Sequence, residues 1–210
     1  MHWNNCSSRV IKKILKKQGC SLLIEEHFLF PYNIHFRFED SFVKQLLDYD
    51  KKLLDLLIHE ITEHVPHQIK ASLLDRICSY IFTIQRIGGP INGLLYKVDQ
   101  KKCDSCHLCV KLCPNHNIEV KNDNTLTFHS HCEMCMRCSF LCPKDAISIG
   151  FLHGWKVNHP YPLDKIDKDT TIKGDYIKGG EKGFYSCYHK TIEEVNKRHL
   201  KLMSEKGENV

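Results

Sequence analysis

The sequence predicts an α+β protein. A mainly helical first part is followed by a compact cysteine-rich part and then a polar last part. Three observations predict it. Apolar residues recur at helical spacing over Ser8–Gly19 and again over Ser41–Arg86. Eight of the 12 cysteines fall between Cys103 and Cys142 and form an internal repeat. From Gly150 onward the chain turns polar and glycine-containing. These shifts put boundaries at 1–95, 96–150 and 151–210.

Within the first part, Ser8–Gly19 reads as a basic amphipathic helix. Val10, Ile11, Ile14 and Leu15 share one face, Lys12, Lys13, Lys16 and Lys17 the other, and Gly19 is the C-cap. The apolar run Cys20–Ile24 reads as a buried strand. A long helix starts at Ser41, its N-cap, and carries Phe42, Leu46, Leu53, Leu54, Leu57 and Ile61 inward until Pro66 interrupts it. A second helix is expected over His67–Arg86, with Ile69, Leu73, Ile77, Ile81 and Ile84 inward. Gly88-Gly89-Pro90 ends it as a linker. That Gly-Gly-Pro is no phosphate loop, because it follows a helix and lacks the Lys-Ser/Thr ending. His59, His64 and His67 read as exposed polar residues, since no neighbouring spacing matches a standard metal site.

Composition excludes several classes. With 42% hydrophobic and 26% charged residues the chain is not of the disordered type. No run of apolar residues is long enough for a membrane span, and residues 1–5 lack the features of an export signal. The expected compartment is therefore the reducing cytoplasm, where dense cysteine usage points to metal rather than disulfides. The formal charge of +5 does not argue for nucleic acid. Two four-iron clusters with their thiolates would lower it to about +1.

The cysteine block carries the chemistry. Cys103, Cys106, Cys109, Cys113 and Pro114 read C-x2-C-x2-C-x3-C-P, and Cys132, Cys135, Cys138, Cys142 and Pro143 repeat it 29 residues later. The flanks repeat as well, Asn117-Ile118-Glu119-Val120 against Ala146-Ile147-Ser148-Ile149. This is the spacing of paired four-iron clusters. Three cysteines two residues apart wrap one cube, and the fourth, beyond a short helical turn, reaches the other. Cys103, Cys106, Cys109 and Cys142 are thus expected to hold one [4Fe-4S] cluster, and Cys132, Cys135, Cys138 and Cys113 the second. Zinc, the competing metal for four thiolates, favours two separated ligand pairs. Leu108, Leu112, Ile118, Val120, Phe140, Leu141, Ile147 and Ile149 are the expected shielding residues. His107 and His116 are candidate donors to cluster sulfur, Arg137 a candidate counter-charge, and Met134 and Met136 loop fillers. The remaining cysteines, Cys6, Cys20, Cys78 and Cys187, are bystanders.

On these motifs residues 96–150 resemble the bacterial-type two-cluster ferredoxin domain. That resemblance implies a pseudo-twofold domain of two hairpins and two short helices that carries electrons at low potential. The whole chain resembles the flavodoxin–ferredoxin fusions. Ile11 to Cys20, a helix and glycine leading to a strand, are similar to the late helix and last strand of a flavodoxin-like α/β domain, and the helix from Ser41 to its closing helix. This reading makes the chain an N-terminally truncated member. Its first strand and FMN phosphate loop are absent, so FMN binding is disfavoured. A helper chain or a dimer would then complete the N-terminal region.

The tail carries Phe151, Trp155, Tyr161, Tyr185 and Tyr188 as apolar anchors, and Thr191–Met203 reads as a last short helix. The function expected from all this is electron transfer through two [4Fe-4S] clusters between redox partner proteins, one a donor and one an acceptor. No nucleic acid and no membrane span are expected. An FMN-assisted iron–sulfur oxidoreductase subunit and a non-redox scaffold stapled by the clusters are the alternatives, and an electron carrier is favoured over an enzyme.

Overall fold

The computed structural model describes residues 9–32, 35–156 and 160–207. The chain divides into two compact units. The first contains residues 1–31, 38–80 and 162–210, and the second residues 32–37 and 81–161.

The first unit is helical. Helix α1 (Arg9–Lys17) ends where expected, at a left-handed Gly19 that lets the Cys20 N–H reach the Leu15 carbonyl at 2.9 Å. Its apolar stripe is not buried, since Ile11 and Ile14 are exposed, but Lys12 pairs with Glu25 at 2.5 Å. The strand expected over Cys20–Ile24 does not form. An isolated parallel bridge joins Ile24 to His67, made by the Glu25 N–H to His67 carbonyl (2.7 Å) and His67 N–H to Leu23 carbonyl (3.1 Å) bonds. Among the described residues before 95 there is no strand ladder, so the flavodoxin-like half-sheet is absent there.

Helix α2 (Asp40–Thr62) is capped by Glu39 rather than Ser41. Its buried residues Phe42, Leu46, Tyr49, Leu53, Leu56 and Glu60 alternate spacings of four and three, a seam of period 3.5. Leu54 and Ile61, expected inward, face solvent. The seam is met by α8 (Ser186–Lys206), whose buried Tyr188, Ile192, Val195 and Leu202 keep the same period. The pairs Phe42–Tyr188, Lys52–Asn196 and Asp55–His199 advance together, so α2 and α8 run parallel. The last helix is therefore longer than expected, and it covers the apolar face of α2 within the same chain. Helix α7 (Leu163–Lys168) adds Ile166, and Gln45 clamps the Ile177 backbone through both its amide atoms, at 2.7 and 2.9 Å. Phe38, Phe42, Tyr176, Tyr185 and Tyr188 close the top of the seam as an aromatic cluster. Fully burying one such ring contributes roughly 2–3 kcal/mol.

Residues 67–72 are irregular, and the expected second helix is split. Helix α3 (Leu73–Ile81), started by the Ser72–Asp75 side-chain and backbone bonds, gives way to a 3-10 turn and then α4 (Gln85–Leu94). Gly88-Gly89-Pro90 lies inside α4 rather than ending a helix. The expected inward residues Leu73, Ile77, Ile81 and Ile84 are exposed. In α4, which belongs to the second unit, the glycine face is packed. A Cβ on Gly89 would come to 3.0 Å of the Cys132 carbonyl oxygen, and one on Gly93 would overlap the Cys132 Cβ.

The second unit is built on two small antiparallel sheets. Strand β1 (Tyr96–Val98) pairs with β4 (Ile147–Ile149), and β2 (Ile118–Val120) with β3 (Leu126–Phe128). The β2–β3 pair is a hairpin, as expected. The other pair joins the two ends of the cysteine-rich segment, so it is a ribbon and not a second hairpin. Helices α5 (Leu108–Leu112) and α6 (Arg137–Phe140) are the two short helices expected. Tyr96, Ile118, Phe128, Met136, Ile147 and Ile149 form the core. Asn92 ties α4 to the end of β4, donating to the Ile149 carbonyl and accepting from the Phe151 N–H at 2.8 Å. Trp155 meets His35 in a tilted ring contact, centroids 4.3 Å apart, and the Tyr161 hydroxyl donates to the Tyr32 carbonyl at 2.6 Å under the Arg37 guanidinium.

Candidate functional site

The two cysteine runs form two separate hollows. Cys103, Cys106, Cys109 and Cys142 line one, and Cys113, Cys132, Cys135 and Cys138 line the other. The last cysteine of each run thus lies with the first three of the other. The cause is local. The last cysteine of each run stands at or just beyond the end of its short helix, α5 or α6, and these two helices pack on each other. All eight are free thiols, as are Cys20, Cys78 and Cys187; Cys6 lies outside the described residues.

The 29-residue repeat is written into the backbone. Ser105, His107 and His116 have positive φ (56°, 53° and 48°), and so do Met134, Met136 and Asp145 (54°, 58° and 47°). Each residue of the first set stands 29 positions before its counterpart. A left-handed non-glycine residue costs on the order of 1 kcal/mol, and such strain concentrates at binding sites. Left-handed residues in tight loops turn successive N–H groups to one side, which makes a concavity for an anionic group. Further donors already point at sulfur. The N–H groups of Asn117 and Ala146, equivalent in the repeat, reach Cys113 and Cys142 Sγ at 3.2 and 3.4 Å, and the Met134 N–H reaches Cys132 Sγ at 3.4 Å.

The electrostatics favour proton loss only with a compensating cation. Burial, and then the neighbouring thiolates of Cys135 and Cys132, push the Cys138 thiol up to about 12. Burial raises Cys109 and Cys132 as well. A thiolate is the form that ligates a metal, so metal binding at the hollows would expel protons. Burial also raises the Tyr96 phenol, with the Cys132 and Cys138 charges adding to it. Its hydroxyl donates to Met136 Sδ at 3.3 Å.

Not every expected residue lines a cavity. Leu108 and Ile147 line the first hollow and Ile118 the second, but Val120 and Leu141 are exposed. Tyr96, Val98, Leu126 and Phe128 supply walls that the sequence did not assign. They come from strands whose pairing lies outside the cysteine repeat. Met136, expected as a loop filler, is a buried core residue. His107 lines the first cavity, and its buried Nε2 has no hydrogen-bond partner among the described residues. His116 is exposed, while Arg137 lines the second cavity and remains solvent-accessible. Of the histidines read as exposed polar residues, His59 and His67 are only partly exposed. His64 faces solvent, whereas His67 sits beside Glu26 and Glu60 in the helical unit.

A segment with four-thiol hollows, repeated left-handed loops and N–H groups aimed at sulfur is an iron–sulfur type of site. Residues 95–158 match the family model described as a 4Fe-4S dicluster domain. That match marks the segment as one that binds 4Fe-4S clusters, a cofactor class associated with electron transfer. No curated protein and no solved structure matches the chain. No helix among the described residues is long and apolar enough to cross a membrane.

Proposed function

We propose that the second unit holds two [4Fe-4S] clusters and that the protein carries electrons between redox partner proteins. The observation that supports this is the sorting of eight cysteines into two sets of four, with Cys142 joining Cys103, Cys106 and Cys109, and Cys113 joining Cys132, Cys135 and Cys138. Each cluster, when bound, supplies one-electron chemistry over a potential range that the surroundings set. The chain's own residues do the setting. Asn117, Met134 and Ala146 N–H groups stabilise negative charge on their sulfurs. The unpartnered His107 Nε2 would be a candidate donor to cluster sulfur. Tyr96, Ile118 and Phe128 keep water from the second hollow, and Val98, Leu126 and Ile147 from the first. With four protein thiolates at each hollow, no iron position is left for a substrate, which favours a carrier over a catalyst.

Anaerobic reconstitution followed by iron, sulfide and flavin analysis tests the reading. The expected result is about eight irons per chain, no flavin and two one-electron reductions. Four or fewer irons, or one FMN per chain, overturns it. In Cys113→Ser the spectrum of one reduced cluster should change while the other persists, and Cys142→Ser should show the reverse pattern.

A further inference from the structure

The helical unit contains a second constellation with metal-ligand chemistry, independent of the cysteines. Glu26, Glu60 and His67 each offer a donor atom, and these atoms lie within 4.8 Å of one another. Three separate elements of the chain bring them together. The Ile24–His67 bridge pins His67 next to the segment carrying Glu26, and Glu60 comes from the last turn of α2. Arg198 of α8 donates to Oε1 of both carboxylates, at 2.5 and 2.6 Å.

One guanidinium faces two carboxylates, and both carboxylate side chains are over nine-tenths buried, 7% and 8% exposed. A buried carboxylate without full compensation is costly, so the group calls for a further cation. Glu60 Oε2 makes the need specific, because it is buried and has no hydrogen-bond partner among the described residues. His67 does not meet it as a hydrogen-bond donor. Its Nδ1 stands 4.0 Å from Glu60 Oε1, and its Nε2 is 3.4 Å from Glu26 Oε1. Access exists, since Glu26, His67 and Arg198 line a cavity of about 740 Å³ that is partly open to solvent and also bordered by Tyr49, Glu194 and Lys190.

We propose that Glu26, Glu60 and His67 bind a divalent cation of the Mn²⁺, Fe²⁺ or Zn²⁺ class. Two carboxylate oxygens and one imidazole nitrogen suit these ions, and three protein donors leave positions for water from the cavity. Arg198 is the outer partner that holds the two carboxylates in orientation. It neutralises part of their charge through Oε1 while Glu60 Oε2 stays available to the ion.

The test uses the reconstituted full chain and Mn²⁺ as probe, read by loss of the free-ion paramagnetic resonance signal. One saturable Mn²⁺ site per chain, displaced by Zn²⁺, is expected. Glu60→Gln and His67→Gln should each weaken it at least tenfold with cluster iron unchanged. His67 is the more informative position, because its side chain is 27% exposed and its loss leaves the α2–α8 seam intact. No saturable binding, or binding unchanged in both variants, overturns the proposal.

Discussion

Six apolar side chains of α2, Phe42 to Leu56, sink into a single seam that α7 and α8 close. The six residues of the second unit's core cluster, Tyr96 to Ile149, instead spread around two hollows walled by thiols. The first arrangement is a self-sufficient hydrophobic core. The second is thin, carries six left-handed non-glycine residues in its cysteine loops, and is short of apolar contact where the thiols converge. Small domains of this kind draw folding energy from a bound inorganic group. On the proposed reading, one chain uses side-chain packing in one unit and coordination in the other.

Removing iron tests that contrast most severely. Hydrogen exchange should show amides of β1, β4 and the cysteine loops losing about a hundredfold or more in protection, while those of α2 and α8 keep theirs. Equal loss in both units would end the distinction. A smaller effect separates packing from coordination. Leu53→Ala should cost the helical unit about 3 kcal/mol with iron content unchanged, because Leu53 is fully buried in the seam. Gly93→Ala should cost about 2 kcal/mol and also lower iron retention, since the new methyl displaces Cys132. Chemical denaturation followed by iron release distinguishes the two. The smallest effect concerns Asp50, which accepts from the Leu29 N–H at 3.0 Å. Burial raises its carboxyl from an ordinary 3.8 to about 6. The native state therefore holds that proton more tightly, a stabilising contribution present below about pH 4 and lost as pH rises through 6. Asp50→Asn keeps the oxygen and removes the charge, so at pH 7 it should stabilise by about 1 kcal/mol after allowance for solvent screening. At pH 4 the gain should vanish in a thermal melt.

The cysteine pattern was legible because iron coordination imposes fixed short spacings. The same constraint led to the expectation that Cys113 and Cys142 cross, and each lines the hollow of the other run. The α2 seam was only partly legible. Leu54 and Ile61 are as apolar as Leu53 and Leu56, and the register that buries one pair is set by α8, more than a hundred residues away. Gly88-Gly89-Pro90 misled because glycine was read as a helix stop, whereas here it makes room for the Cys132 loop. The Glu26–Glu60–His67 group was invisible for a related reason. No two of its members lie within a motif, and one isolated bridge and a helix end bring them together.

The parallel pairing of α2 with α8 has a consequence for the order of biosynthesis. The cysteine-rich unit is complete in the nascent chain once Tyr161 has been made, whereas α2 still lacks its covering helix. Units fold as they emerge from the ribosome. Cofactor loading can therefore precede closure of the helical unit, and until α8 arrives the apolar face of α2 is open to aggregation or chaperone capture.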